Sequence, residues 1–154
     1  MRRDAPHEPA ATAEGALDAL APMLATLLTD RSAMHVVVMD PAANPHTASS
    51  DDAILCERSF GKPASWAADY ASYARAKARV AWREQASLRD LLAHRPERLR
   101  DDVIRVEGAV CADGWVVAAG GAQPWYDHAI ATCTIALIDA ALRHARETAA
   151  SEAT

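Results

Sequence analysis

The sequence predicts an α+β domain in which helices pack on an antiparallel sheet. The run His35–Met39 is continuous, apolar and rich in valine, which is typical of a buried central strand. Alanines recur at helical spacing within Ser65–Glu84. Residues 103–112 and 115–119 are predicted strands joined by Asp113-Gly114, a strong hairpin signal. The order is therefore helix, strand, loop, helix, hairpin, helix, and not the regular alternation of a parallel sheet.

Length and composition indicate one globular domain. A chain of 154 residues is long enough for one substantial core, and 51% hydrophobic with 24% charged residues is ordinary. The net charge of −5 disfavours nucleic acid and anionic membranes as partners, and no apolar run is long enough to span a membrane. The 3 cysteines are an odd number and two of them lie in apolar runs, which predicts reduced, buried thiols in a cytoplasmic protein; they also lack metal-ligand spacing.

The predicted domain covers residues 14–146. We expect residues 1–13, which are rich in proline and alanine, to be disordered, and residues 147–154 to form a frayed tail. Between them, helically spaced leucines predict an amphipathic helix that is kinked or restarted at Pro22; they are Leu17, Leu20, Leu24, Leu27 and Leu28.

Two further helices are predicted. Ser65–Glu84 carries an alanine stripe that allows close packing on the sheet, and its members are Ala67, Ala71, Ala74, Ala78 and Ala81. The last helix is predicted from Pro124 to about Arg146, with one apolar face formed by Ile130, Cys133, Leu137, Ala140, Ala141 and His144. The short run Ile54–Cys56 is compatible with either a strand or a helical turn.

The loop Gly120-Gly121 is the first candidate for a binding site. Glycines let backbone N–H groups approach a ligand closely, and a helix that begins near Pro124 favours an anion at its N-terminus. Lys77 in the alanine-rich helix either packs its stem at the edge of the core or supplies a cation to the ligand.

Candidate site residues surround this loop. Lys77, Gly120 and Gly121 are expected to bind an anionic ligand, with aromatic walls from Tyr70, Trp115, Trp125 and Tyr126. Glu107, Asp127 and His128 are candidates to move a proton. The structural alternative also stays open, in which Asp127 stabilises the helix dipole, His128 is exposed, and Glu107 pairs with Arg105 or a neighbouring chain.

Familiar catalytic motifs are absent from the sequence. The histidines show no HExxH or paired spacing, so no metal site is predicted. The sequence lacks GxSxG, and no GK[ST] follows Gly120-Gly121, which disfavours an esterase nucleophile elbow and a phosphate-binding loop.

Three segments resemble the GlcG/HbpS-like, heme-degrading domain family. The segment ARAKARVAWREQASL (Ala74 to Leu88) resembles its A-x-x-KA-x-TA helix, and HVVVMDPAANP resembles its first strand. The closing segment EGAVCADGWVVAAGGAQPWYDHAIA resembles its GG-V-P hairpin and following P-x-x-D helix. Here Glu107 replaces the first glycine of the pair and Cys111 replaces the proline, while Trp125 and Tyr126 replace small or acidic residues. The resemblance covers roughly Leu17 to Leu142.

The resemblance implies a compact domain with a profilin/PAS-like layout that assembles into dimers up to octamers. Some members bind heme or corrinoids, and others are accessory or catabolic proteins with suggested hydrolytic or deaminating roles. It therefore implies a small-molecule-binding protein whose ligand is a planar anion such as heme. The alternative is a small cofactor-independent hydrolase, deaminase or isomerase acting on an aromatic or unsaturated acid. A purely structural, oligomeric accessory role is the third hypothesis.

Overall fold

One four-stranded antiparallel sheet organises the computed structural model, which describes residues 9–28, 33–99 and 105–154. The strands are β1 (Ala33–Met39), β2 (Ile54–Gly61), β3 (Ala109–Ala112) and β4 (Trp115–Gly120), in the spatial order β2-β1-β4-β3. The helices are α1 (Pro9–Leu27), α2 (Tyr70–Glu84), α3 (Leu88–His94) and α4 (Pro124–Glu152). Short 3₁₀ turns lie at Pro63–Ser65 and Pro96–Arg98. The predicted α+β class is confirmed.

Strand β1 is the centre of the sheet, as its valine-rich sequence predicts. Every residue from Ala33 to Met39 is buried, because the strand has helices on both faces and neighbours on both edges. On one edge His35 lies opposite Ser59 of β2, and on the other it lies opposite Gly120 of β4. The ambiguous segment at Ile54 is therefore the start of a strand.

The two faces of the sheet bury different halves of the core. Val36 and Val38 face a cluster formed with α1 and α4, whereas Val37 and Met39 face a cluster formed with α2 and α3. This alternation is the two-residue period of a strand. Helices α2 and α4 consequently lie on opposite faces of the sheet.

Helix α2 begins at Tyr70, five residues later than predicted. The Asp69 side chain accepts a hydrogen bond from the Ser72 N–H group (3.0 Å) and caps the first turn. Ala74, Ala78 and Ala81 are buried as predicted, but Ala67 precedes the helix and Ala71 is only partly buried.

The hairpin turn is confirmed, whereas the length of its first strand is not. Asp113 and Gly114 have φ values of 52° and 81°, as the turn requires. Strand β3 starts only at Ala109, because Gly108 has a φ of 131° and turns the chain out of extended geometry. The predicted strand residues 103 and 104 lie outside the described residues.

Both ends of the domain are more helical than predicted. Helix α1 begins at Pro9, and Ala13 is fully buried, so the expectation of disorder is wrong for residues 9–13. Residues 1–8 lie outside the described part of the chain. Helix α1 continues through Pro22, and α4 continues through Glu152, beyond the predicted end near Arg146.

The buried face of α4 differs from the predicted face. Its buried residues are Asp127, Ile130, Ala131, Thr134, Ile135 and Ile138. Leu137 is 37% exposed, and Ala140, Ala141 and His144 are also exposed. Apolar residues occur on both sides of this helix, so their spacing alone did not select the core face.

The three cysteines are free, and each is partly buried, less buried than predicted. Among the described residues, every helix is too short or too polar to cross a membrane.

Because α2 packs closely on the sheet, Ala78, which is 1% exposed, should not tolerate a larger side chain. We expect Ala78→Leu to lower the free energy of unfolding by about 1–3 kcal/mol in a urea melt, because the added carbons overpack the contact. The control Arg79→Leu should change it by less than about 0.5 kcal/mol, since the Arg79 side chain is exposed. Equal losses in the two variants would contradict this orientation of α2.

Candidate functional site

A cavity of about 410 Å³ lies between α2 and the start of α4, where β4 ends. Its size lies within the range of small-molecule pockets. Its lining is mostly apolar and aromatic, with one buried ion pair, and consists of Tyr70, Tyr73, Lys77, Val106, Gly120, Gly121, Ala122, Pro124 and Asp127.

The ion pair joins Lys77 of α2 to Asp127 in the first turn of α4. The Lys77 ammonium donates to Asp127 Oδ2 (2.9 Å) and to the Ala119 carbonyl oxygen (3.1 Å). The backbone N–H of Ala122 donates to Asp127 Oδ1 (3.1 Å). Lys77 is 3% exposed and Asp127 is 2% exposed, so the pair is almost fully removed from water.

The Lys77–Asp127 pair determines the charge and the hydrogen-bond donors at the floor of the cavity. Burial is the largest influence on the pKa of Asp127 and raises it, although the Lys77 ammonium and the Ala122 N–H act in the opposite direction. The two opposite charges leave the floor of the cavity close to neutral. An ammonium has three N–H groups, and Lys77 uses two of them in these contacts.

Glycines around the pair allow elements to approach closely. At Gly108, a Cβ atom would lie 2.7 Å from Lys77 Nζ and 2.9 Å from Asp127 Cβ. At Gly120, it would lie 3.0 Å from the Tyr70 carbonyl oxygen, and at Gly121 it would lie 2.3 Å from the carbonyl oxygen of Ala33. The predicted glycine loop therefore lines the cavity, and its glycines are also required for packing.

Aromatic rings form the wall on the α2 side. Tyr70 and Tyr73 both line the cavity, with ring centroids 6.2 Å apart in an edge-on arrangement. Tyr70 also packs against Trp66, at a centroid distance of 5.5 Å. Tyr73 is 44% exposed, so it stands at the mouth of the cavity.

The aromatic residues predicted as walls from the hairpin and α4 lie outside the lining of this cavity. Trp125 and Tyr126 are 58% and 48% exposed and do not line the cavity. Trp115 is buried in the core on the opposite face of the sheet. Within the first turns of α4, only Pro124 and Asp127 reach the cavity, because the helix turns the intervening side chains away from it.

Two predicted acid–base residues lie outside the cavity lining. Arg89 Nε donates to Glu107 Oε2 (2.6 Å), and this contact holds the pKa of Glu107 below its usual range. The expected Glu107–Arg105 pair is thus replaced by Glu107–Arg89. His128 is partly buried, its pKa is lowered by burial, and its Nδ1 atom has no hydrogen-bond partner among the described residues.

Sequence reasoning did not select Tyr73, Val106 or Gly108. Tyr73 lies one helical turn before Lys77, so helical spacing could have placed both at the same site. Gly108 stands at the second glycine of the family's GG pair. A glycine at this position could have indicated a backbone with positive φ, which the structure shows. Val106 carries no local signal, because only the loop conformation brings it to the cavity.

Comparison with solved structures identifies the fold. The Klebsiella pneumoniae protein ORFY, of the family DUF336, aligns over 91% of this chain and 97% of its own, with a TM-score of 0.57 and 15% identity. The chain has the DUF336 fold. The PduOC:heme complex aligns over 81% of this chain and 91% of its own, with a TM-score of 0.51 and 19% identity. No family model and no curated protein matches the sequence.

These neighbours agree with the resemblance drawn from the sequence. DUF336 corresponds to the GlcG-like group, so the GlcG/HbpS-like fold expected from three short segments is confirmed at the level of structure. At identities of 15% and 19%, the likeness extends to the fold alone.

The crowding at Gly108 gives a test of the site geometry. Gly108 and Gly114 both have positive φ, but a Cβ atom at Gly114 would meet no atom within 4 Å. Gly114→Ala should cost about 1–2 kcal/mol of unfolding free energy from backbone strain alone. Gly108→Ala should cost at least about 1 kcal/mol more, because it also displaces the ion pair. Thermal and urea unfolding measure both, and a smaller loss for Gly108→Ala would contradict the geometry.

Proposed function

We propose that the chain is a small-molecule-binding protein whose cavity takes a planar anionic ligand such as heme. The observation that carries this proposal is the buried Lys77–Asp127 pair at the floor of an otherwise apolar cavity. A few polar groups fixed within an apolar, aromatic lining are the usual composition of a ligand pocket.

The polar contacts of the ligand would be made at this floor. The third N–H of Lys77 is a donor for a carboxylate oxygen, and the start of α4 adds a favourable dipole. Gln123 at the N-cap makes no side-chain cap, so backbone N–H groups in the first turn of α4 are not capped by that side chain. Because Asp127 neutralises Lys77, affinity would depend more on directed hydrogen bonds and ring contact than on net charge.

The lining is compatible with heme. Histidine, cysteine, methionine and tyrosine are the side chains that usually bind heme iron, and the cavity lining contains two tyrosines, Tyr70 and Tyr73. Tyr73 and Lys77 are one helical turn apart on α2, so iron ligation and carboxylate binding would come from the same helix. A bound heme would supply redox-active iron. The heme complex of the PduOC neighbour supports this choice of probe.

The contacts favour binding over the alternative of a small acid–base enzyme at this cavity. Asp127 is held by Lys77 and the Ala122 N–H, and Glu107 is held by Arg89. His128 does not line the cavity. None of the three candidate catalytic residues is thus both free and next to the cavity.

A homo-oligomer in the cytoplasm completes the proposal. Trp125, Tyr126 and Leu137 leave apolar surface exposed on α4. Tyr126 and Leu137 are separated by three helical turns and lie on the same side of the helix. A second copy of the chain, related by two-fold symmetry, would cover this surface.

If the ligand binds in this cavity, Tyr73→Ala should weaken ligand binding, whereas a similar substitution outside the cavity should not. Loss of the ring at the mouth of the cavity should weaken binding by roughly tenfold, which corresponds to about 1.4 kcal/mol. The measurement is a titration with heme, followed by visible absorbance, and with a panel of aromatic and muconate-type acids, followed by calorimetry.

Tyr126→Ala is the matched control, since Tyr126 is similarly exposed (48%) but lies outside the cavity lining. It should bind every ligand as wild type does, once light scattering has shown the assembly state of each variant. Unchanged binding by Tyr73→Ala, or equal weakening in both variants, would place the site elsewhere.

Assembly gives an independent prediction. Light scattering at tens of micromolar should show a mass of at least twice 16.5 kDa, and Trp125→Glu should shift it toward the monomer by placing a charge in the apolar contact. Exposed Arg143→Glu serves as the control on the same helix. A monomeric wild-type protein would rule out this assembly.

A further inference from the structure

A serine, a histidine and a carboxylate lie in a row on the α2 face of the sheet, apart from the cavity. His35 of β1 lies opposite Ser59 of β2, and its Nδ1 atom is hydrogen-bonded to Ser59 Oγ (2.8 Å). On the other side of the ring, His35 Nε2 lies 3.7 Å from Glu57 Oε1. Ser59 and Glu57 are two residues apart on β2, so both side chains point to the same face.

His35 and Ser59 differ in their exposure to solvent. His35 is 4% exposed, whereas Ser59 is exposed to solvent. The Nε2 atom of His35 is buried and has no hydrogen-bond partner among the described residues. A buried polar atom without a partner is costly, so its persistence calls for a physical explanation. Glu57 Oε1 faces this atom at 3.7 Å, just beyond hydrogen-bond distance.

The surroundings of His35 disfavour the protonated form of its ring. Burial is the largest influence on the pKa of His35 and lowers it. The charged groups that face it are Glu57 on β2, Arg75 on α2 and Asp69 at the α2 N-cap. Arg75 binds the carboxylate of Glu57, with Nε donating to Oε2 (3.0 Å), and lowers the pKa of Glu57. The carboxylate is therefore fixed in position and ionised.

We propose that Ser59 is a nucleophile toward small carboxylic esters, with His35 as its general base and Glu57 as a positioning residue. Ser59 Oγ is within hydrogen-bond reach of His35 Nδ1, and the Glu57 carboxylate faces the other ring nitrogen at 3.7 Å, which approximates the recurring order of nucleophile, base and third group. Ser59, His35 and Glu57 do not line the cavity, so this proposal does not rest on the proposed ligand binding.

The proposed reaction needs no added cofactor. Ser59 Oγ attacks the ester carbonyl carbon while its proton moves to His35 Nδ1, and Glu57 stabilises the imidazolium that forms. Collapse of the tetrahedral adduct breaks the bond to the alkoxide, which takes the proton from His35 and leaves as an alcohol. Water then attacks the acyl-serine, again through His35, and releases the carboxylic acid and free Ser59.

The position of Ser59 determines the class of substrate. Strand β2 is at the end of the sheet order, and the outward backbone N–H groups of an edge strand are donors of the kind that stabilise an oxyanion. Ser59 does not line any of the described cavities next to β2. The open surface suits a short, unhindered acyl group, such as acetyl on a good leaving group, more than a long chain.

A serine-directed fluorophosphonate tests the nucleophile. Peptide mapping by mass spectrometry should find the phosphonyl group on Ser59, formed with loss of fluoride, and Ser59→Ala should abolish it. Ser151 is the internal control, because it is exposed and its Oγ donates to the Glu147 carbonyl oxygen, with no histidine partner among the described residues. His35→Gln, checked for folding by circular dichroism, should slow labelling at least about a hundredfold. Labelling of Ser59 no faster than Ser151 would overturn the proposal.

The release of nitrophenolate from p-nitrophenyl acetate tests the base. The Ser59-dependent rate should rise with pH as His35 loses its proton, with a midpoint below the ordinary histidine value of 6.5. Glu57→Gln removes the carboxylate that raises the His35 pKa and leaves Arg75 unopposed, so the midpoint should move to lower pH and the plateau should fall. If the pH–rate profiles of wild type and Glu57→Gln have the same midpoint, the roles given to His35 and Glu57 are wrong. This holds even if both proteins fold and react with the fluorophosphonate at Ser59.

Discussion

The buried ion pair between Lys77 and Asp127 is the interaction on which the rest of the site depends. Helices α2 and α4 pack on opposite faces of the sheet, and this pair joins them at the end of β4. Two charges removed from water are tolerated only when their remaining hydrogen-bonding capacity is met. The Ala119 carbonyl and the Ala122 N–H meet much of it, so the turn after β4 is fixed by the same contacts. Removal of either charge would leave its partner buried and alone, at a cost of about 3–5 kcal/mol.

This constraint also explains the glycines around the pair. Any side chain at Gly108 would contact Lys77 Nζ, and a side chain at Gly121 would overlap the backbone of β1. From sequence alone, paired glycines before a helix indicated an anion-binding loop. In the structure they first allow α2, β1 and β4 to approach one another. The cavity then results from this arrangement, since small residues at the junction leave space between Tyr73 and Pro124.

Local signals predicted local structure well, and long-range geometry poorly. The Asp113-Gly114 turn, the helix start at Pro124 and the central strand β1 depend on backbone preferences of a few residues, and each was predicted. Lys77 and Asp127 were each selected as site residues, but their pairing spans 50 positions and no periodicity reveals it. The α4 face was wrong because Leu137 and its neighbours are apolar on the solvent side. Burial there depends on how α4 lies against the sheet and α1.

Helix α2 contributes one cation to the cavity and one to the row of Ser59, His35 and Glu57. These cations, Lys77 and Arg75, are two residues apart in the sequence. Successive helical positions differ by about 100°, so Arg75 and Lys77 project in nearly opposite directions from the helix axis. Arg75 reaches Glu57 on the edge strand, and Lys77 reaches Asp127 beyond β4. Each cation neutralises one carboxylate and holds it in place. At the cavity this places a buried ion pair in the lining, and beside β2 it places a carboxylate 3.7 Å from His35 Nε2. A single helix register therefore fixes the polar geometry of both sites.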